Sequence, residues 1–174
     1  MKIIDIFANE KLFAFHYEGE DDHELDRLLN SWTEPEYLHK FLKANAKDIP
    51  NNKSLNQIFN EIQDNADEIE DLLIEIAESN ERQFEEFFKA LDNNEYKVLE
   101  LSRQKGRKNY LRIYALRIDK NCFVITGGAI KFTHLMQDRK HTQQELNKIE
   151  MCRNYLKENG IIDADSFYEF LNQD

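Results

Sequence analysis

The sequence predicts an α+β fold: an antiparallel sheet of an N-terminal hairpin plus a three-stranded meander, with an enlarged acidic helical insert and C-terminal helices packed on it. Three observations predict it. Apolar residues alternate at the N-terminus and again from about Tyr96 to Thr133, they recur at steps of three and four in between, and turn-forming residues cut the second alternating region into three strands. With 174 residues and 41% hydrophobic content, the chain can fill one core. It reads as a single domain over 1–174, with the helical insert at 22–92 and a sheet-helix core at 96–157.

The elements follow in order. Ile3, Ile4, Ile6 and Phe7, then Leu12, Phe13, Phe15 and Tyr17, make two short strands around the turn Ala8-Asn9-Glu10-Lys11. Leu25, Leu28, Leu29 and Trp32 form one face of a short amphipathic helix. Thr33-Glu-Pro-Glu36 reads as a capping box opening a second helix that buries Tyr37, Leu38, Phe41 and Leu42. Pro50 and Asn51-Asn52 break the pattern before the longest periodic run, Leu55 to Ile76, a helix of about six turns whose outer face is rich in Asp and Glu. Phe84, Phe87, Phe88 and Leu91 suggest one more short helix, ended by Asn93-Asn94. Tyr96 to Arg103 then reads as a strand, Gln104 to Asn109 as a basic turn centred on Gly106, and Tyr110 to Ile118 as a second strand. After the turn Asp119-Lys120-Asn121, a third strand runs from Cys122 to Thr126 and past Gly127-Gly128 to Thr133, with the glycine pair marking a bulge or a close backbone approach. Thr142-Gln-Gln-Glu145 is a second capping-box pattern, opening a helix that Gly160 stops. Asp165 is placed to cap a last helix carrying Phe167, Phe170 and Leu171.

Several functional classes are disfavoured. The N-terminus lacks the charged region, apolar run and cleavage site of a signal peptide, and no apolar stretch approaches the roughly 18 residues that span a bilayer. A soluble, cytoplasmic protein with no membrane partner is the expectation. Cys122 and Cys152 form no Cys-x-x-Cys unit and read as two buried thiols. His16, His23 and His39 have no metal-ligand spacing, no glycine-rich phosphate loop or serine elbow is present, and the acidic helix lacks the alternating loop of a calcium site. No metal and no cofactor are expected.

Charge is sorted along the chain. Residues 100–150 hold eleven of the 23 Lys and Arg but five of the 34 acids, a local balance of +6 against −17 elsewhere, in a chain of net charge −11. Such a segment offers an anion a local surface while the remainder repels it. In the strand Tyr110 to Ile118, alternation puts Tyr110, Arg112 and Tyr114 on one side and Leu111, Ile113 and Ala115 on the other. Arg supplies a planar fork of donors for a phosphate, and Tyr a ring for an unstacked base. If Lys131 or His134 faces the same way, the sheet becomes a shallow RNA platform; the glycine pair prevents parity from deciding which does. The same pattern also fits a solvated sheet face. Lys105, Arg107 and Lys108 fit a basic hairpin tip, and Arg139 and Lys140 a phosphate contact before a helix N-terminus.

The run VLELSRQKGRKNYLRIYALRID, then NCFVITGGAIKFTH and HTQQELNKIEMCRNYL, resembles the RelE/ParE toxin superfamily, especially its HigB-like, phage-related branch. The matching positions are Glu100-Leu101-Ser102-Arg103, Arg112-Ile113-Tyr114, Phe123 to Ile125, Lys131-Phe132-Thr133 and Thr142 to Leu146. The similarity covers about Phe84 to Leu156. It implies a bacterial toxin that cleaves mRNA on the ribosome and is held inactive by a cognate antitoxin. In that chemistry a base takes the proton of a ribose 2′-hydroxyl, which attacks the adjacent phosphorus, cations stabilise the phosphorane, and an acid protonates the leaving 5′-oxygen. No metal is needed.

By position, Arg112 and Lys131 are the phosphate stabilisers, supported by Arg103 and Arg117. His134, with an unperturbed pKa of about 6.5, is the acid or base, and Tyr114 can stack or donate a proton. The remaining RNA contacts fall to Lys105, Arg107, Lys108, Tyr110, Arg139 and Lys140. A net charge of −11 repels RNA over a Debye length of about 8 Å, so that only a concentrated patch would bind it. The alternative is a non-catalytic interaction module that keeps the toxin-like fold and docks protein partners through the basic sheet face and the acidic helices.

Overall fold

The computed structural model describes residues 1–92, 101–133 and 139–173. Six strands form one mixed sheet in the order β1-β2-β6-β5-β4-β3. The hairpin of β1 (Lys2–Asp5) and β2 (Leu12–His16) is antiparallel. It joins the rest through parallel pairing of β2 with β6 (Cys122–Ile130). The others, β3 (Phe88–Ala90), β4 (Arg103–Lys108) and β5 (Leu111–Asp119), are antiparallel to their neighbours.

Helices cover both faces. On one side lie α1 (Glu24–Thr33), α2 (Pro35–Ala44) and α3 (Leu55–Glu78), which share a core with Leu12, Ala14, Leu111, Ile113, Phe123 and Ile125. On the other lie α4 (Lys140–Glu158) and α5 (Ala164–Leu171), packed with Phe13, Phe15, Tyr114, Leu116 and Val124. Each large apolar side chain buried here, Trp32 and Phe167 among them, contributes on the order of 1.5–3 kcal/mol. No helix among the described residues is long and apolar enough to cross a membrane.

Periodicity locates α1 and α3 well: α3 buries Ile58, Ile62, Ala66, Ile69, Leu73 and Ile76, and Ser54 with Gln57 forms its capping box. Local patterns elsewhere yield to tertiary pairing. The helix expected over Phe84 to Leu91 is a single 3₁₀ turn at Phe84–Glu86 followed by β3. The basic turn expected over Gln104 to Asn109 is β4 itself, closed on β5 by the two-residue turn Asn109-Tyr110; Asn109 is left-handed there, with φ of 52°. The expected strand over Tyr96 to Arg103 falls largely outside the described residues, and Arg103 opens β4.

Three capping residues shift. The Thr33 hydroxyl donates to the Leu29 carbonyl and closes α1, while Pro35 opens α2 after Glu34. Thr142 lies within α4, whose N-cap is Arg139, and α5 is capped by Asp163 rather than Asp165. Gly160, with φ of +79°, follows the end of α4 as expected.

The glycine pair marks a bulge. Tyr114 pairs with Gly127 and Ala115 with Ile125, so Thr126 is the extra residue. Before it, Phe123 and Ile125 face α1–α3; after it, Ala129 faces α4 and Ile130 the other way. A Cβ on Gly127 would lie 2.0 Å from Glu145 Oε2 in α4, and one on Gly128 would lie 2.5 Å from the Arg112 carbonyl oxygen. Both glycines are required by close approach.

Candidate active site

The strand register assembles the cations. Lys105 pairs with Tyr114 and Arg107 with Arg112, so Arg103, Lys105 and Arg107 of β4 share a face with Arg112 and Tyr114 of β5. The bulge then decides the question parity left open. It reverses the facing of β6, and the Lys131 amide continues the ladder by donating to the Tyr110 carbonyl at 2.7 Å. Lys131 therefore lines the same cavities as Lys105 and Arg112. His134 lies outside the described residues.

Two cavities meet at these three cations. The inner one, about 200 Å³, is bounded by Asp92, Arg103, Tyr114, Thr142 and Leu146. The outer one, about 290 Å³, is bounded by Arg107, Asn109, Tyr110, Phe132 and Thr133. Lys105, Arg112 and Lys131 belong to both.

Arg112 is 9% exposed, and its guanidinium is aimed by its own hairpin: Nη1 donates to the carbonyls of Asn109 at 2.7 Å and Leu111 at 3.1 Å. Burial, and then the neighbouring Arg107, push its pKa down. Lys131 is pushed down by burial and next by Arg112, Lys105 and Arg107. These shifts mark a site short of negative charge, which an anion would relieve. Burial pushes Tyr114 up to about 12, so its hydroxyl is a proton donor at neutral pH.

The other cations of the region are already compensated. Arg103 pairs with Asp92 at 3.3 Å and Glu150 at 3.2 Å; Lys108 pairs with Glu68 at 2.9 Å, Arg117 with Glu85 at 3.3 Å and Arg139 with Asp48 at 3.0 Å. Lys105, Arg107, Arg112 and Lys131 make no ion pair among the described residues. Arg117 and Lys108 also face α3 and its following turn rather than the cavities, and Arg139 and Lys140 line neither, so these four leave the predicted phosphate set.

Tyr110 is a further correction. It sits in the turn rather than on the strand face with Arg112 and Tyr114; its ring packs edge-on against Phe132 at 5.0 Å, and its hydroxyl accepts from Lys53 Nζ at 3.2 Å. The helical insert holds this whole tip. Lys53 also pairs with Glu61 at 2.8 Å, and Asn109 Nδ2 donates to Asn65 Oδ1 at 3.0 Å. The acidic helix thus fixes the hairpin whose carbonyls aim Arg112.

Sequence reasoning missed Asp92 and Thr142. Asp92 is the carboxylate that lines the inner cavity, and its position after an apolar segment carries no motif. Thr142 reads as a cap, yet its hydroxyl is buried at the inner cavity with no hydrogen-bond partner. No group of three or more His, Cys, Asp or Glu among the described residues is placed to hold a metal ion. No protein-family model matches the chain, and no curated protein and no solved structure matches it either.

Proposed function

We propose that this protein is a RelE/HigB-like toxin, an endoribonuclease that cleaves mRNA, ribosome-associated and metal-independent, by attack of a 2′-hydroxyl. The observation that carries the reading is the convergence of Lys105, Arg112 and Lys131, without carboxylate partners, where two cavities meet. That arrangement suits an anion with a group on either side of it, as in a phosphodiester.

In the reaction the 2′-oxygen forms a bond to phosphorus and the bond to the 5′-oxygen breaks, leaving a 2′,3′-cyclic phosphate and a 5′-hydroxyl. Arg112 and Lys105 stabilise the charge of the phosphorane. The 2′-hydroxyl proton passes to Asp92 or to Lys131, whose lowered pKa enlarges its neutral fraction. Tyr114 or His134 returns a proton to the 5′-oxygen. A cognate antitoxin would cover this patch.

The test is induction of the wild-type chain and an Arg112→Ala/Lys131→Ala variant in bacteria, following growth and mapping RNA 5′ ends. Growth arrest with new 5′-hydroxyl ends, lost in the variant, supports the nuclease. Absence of cleavage of RNA, with and without ribosomes, sinks it and leaves the docking module, which needs the patch to bind an acidic protein segment.

A further inference from the structure

Resting on the endoribonuclease reading, we infer that the outer cavity is a nucleobase subsite: it holds the base of one nucleotide adjoining the phosphate gripped by Arg112 and Lys131, and it discriminates against uracil. Three observations carry this.

The first is the division of the site. The cations lie between two cavities rather than at the end of one, so a phosphate held there sends its two ester substituents into different compartments. A terminal phosphate or a carboxylate would leave one of them empty.

The second is the chemistry of the outer compartment. Its wall is aromatic, with Tyr110 and Phe132 at 5.0 Å and an interplanar angle of 64°. Its rim is polar, with the Asn109 amide and the Thr133 hydroxyl. A ring wall with a few polar groups at the edge suits an unstacked base, which needs a surface for its π-face and partners for its hydrogen-bonding edge. The inner compartment differs: Asp92, Arg103 and Tyr114 make it the more polar side, and it is smaller.

The third is pre-organisation. Lys53 holds the Tyr110 hydroxyl, and Asn65 accepts from Asn109 Nδ2. With its nitrogen engaged by α3, the Asn109 amide offers its oxygen to the cavity. An amide oxygen accepts from an exocyclic amino group, which adenine, cytosine and guanine carry and uracil lacks. The helical insert thereby contributes to base selection without touching the base.

The test uses 2′-deoxydinucleoside monophosphates, which contain a single phosphodiester and no attacking hydroxyl, so that the cations set the register and no cleavage intervenes. Affinity is measured by NMR titration for the full set, including deoxyuridine, and for versions with an abasic residue on either side. Removal of the base in the outer cavity is expected to weaken binding about 5- to 100-fold, the range for base–aromatic stacking. Phe132→Leu should erase most of that difference while the base on the other side keeps its effect. Asn109→Gly, compatible with the left-handed backbone, should lift the handicap of deoxyuridine and leaves the ring wall intact, so it reads the subsite even if Phe132→Leu does not fold.

Binding that Lys131→Ala abolishes but that ignores every base removal overturns the subsite and leaves the nuclease reading standing. An effect of Phe132→Leu that simply adds to the abasic effect also overturns it. Failure of every dinucleotide to bind overturns both.

Discussion

Two charge clusters flank the first half of α4, and they are built on opposite rules. Beneath the helix, Glu24 of α1, only 1% exposed, accepts from Arg27 at 2.7 Å and from Lys148 at 2.9 Å, and Lys148 also meets Glu145 at 3.1 Å. Two acids and two bases close on themselves, with Lys148 set over the Tyr17 ring at 4.7 Å. Beside the helix, Lys105, Arg107, Arg112 and Lys131 converge, and the nearby Asp92 is engaged by Arg103. The first cluster ties α1 to α4 across the end of β6. The second adds repulsion to the fold and has no structural return. Charges that hold a fold find their partners within it; charges left uncompensated on a rigid frame are poised for a partner that arrives.

The sharpest way to break this comparison is to remove one member of each cluster. Glu24→Ala strands Arg27 and Lys148 in a partly buried setting, and removing one partner of such a network costs about 3 kcal/mol. Urea unfolding should show the loss, while the cleavage rate per folded molecule stays near wild type. A loss below 0.5 kcal/mol, on the scale of an exposed pair, would place the closed cluster among ordinary surface pairs.

Lys131→Ala is the converse. Loss of one phosphate-stabilising group should lower the cleavage rate about 100-fold, with no loss of stability, since it relieves repulsion with Arg112 and Lys105. A melting temperature that falls as far as that of Glu24→Ala would show that Lys131 is a structural cation after all.

The two clusters also differ in how far the sequence reveals them. The face of β5 was legible, because Leu111, Ile113 and Ala115 alternate with Arg112 and Tyr114 and one set is apolar. The partner strand β4 was not. Arg103-Gln-Lys-Gly-Arg-Lys has no apolar period, and it becomes a strand because β3 and β5 pair with it on both sides. Lys131 could not be placed because the side chains of β6 reverse at a bulge whose position depends on α4 approaching Gly127 and on the Arg112 backbone approaching Gly128. The closed cluster gives no local sign at all, since Glu24 and Lys148 meet across 124 positions of chain.

Gly106 offers a smaller test of the same point. It reads as a turn glycine, yet it lies mid-strand, and a Cβ there would stand 1.9 Å from the Phe87 ring. Gly106→Ala should destabilise by about 2 kcal/mol through overpacking. It should also lower cleavage, because the strand that carries Lys105 and Arg107 must shift, whereas the closed cluster is remote from it. A destabilised variant with wild-type activity would uncouple β4 packing from the site.

The least expected effect is in the pH dependence of stability, and its sign separates the clusters. Lys131 is pushed down in the native state, first by burial and then by its cationic neighbours, whereas unfolded it titrates near its ordinary value of about 10.4. Below the lowered native value both states hold the proton, and the fold bears the full cost of the crowded charge. Between the two values the unfolded chain binds more protons, so stability rises with pH. Lys131→Met should therefore be more stable than wild type near neutrality, and the gap should close as pH rises toward 10.4. Added inorganic phosphate should close the same gap at neutral pH by supplying the missing countercharge. Urea unfolding of both proteins between pH 7 and 9.5 measures it; a gap that stays constant with pH, or that widens with phosphate, would mean that the repulsion at Lys131 is already compensated within the fold.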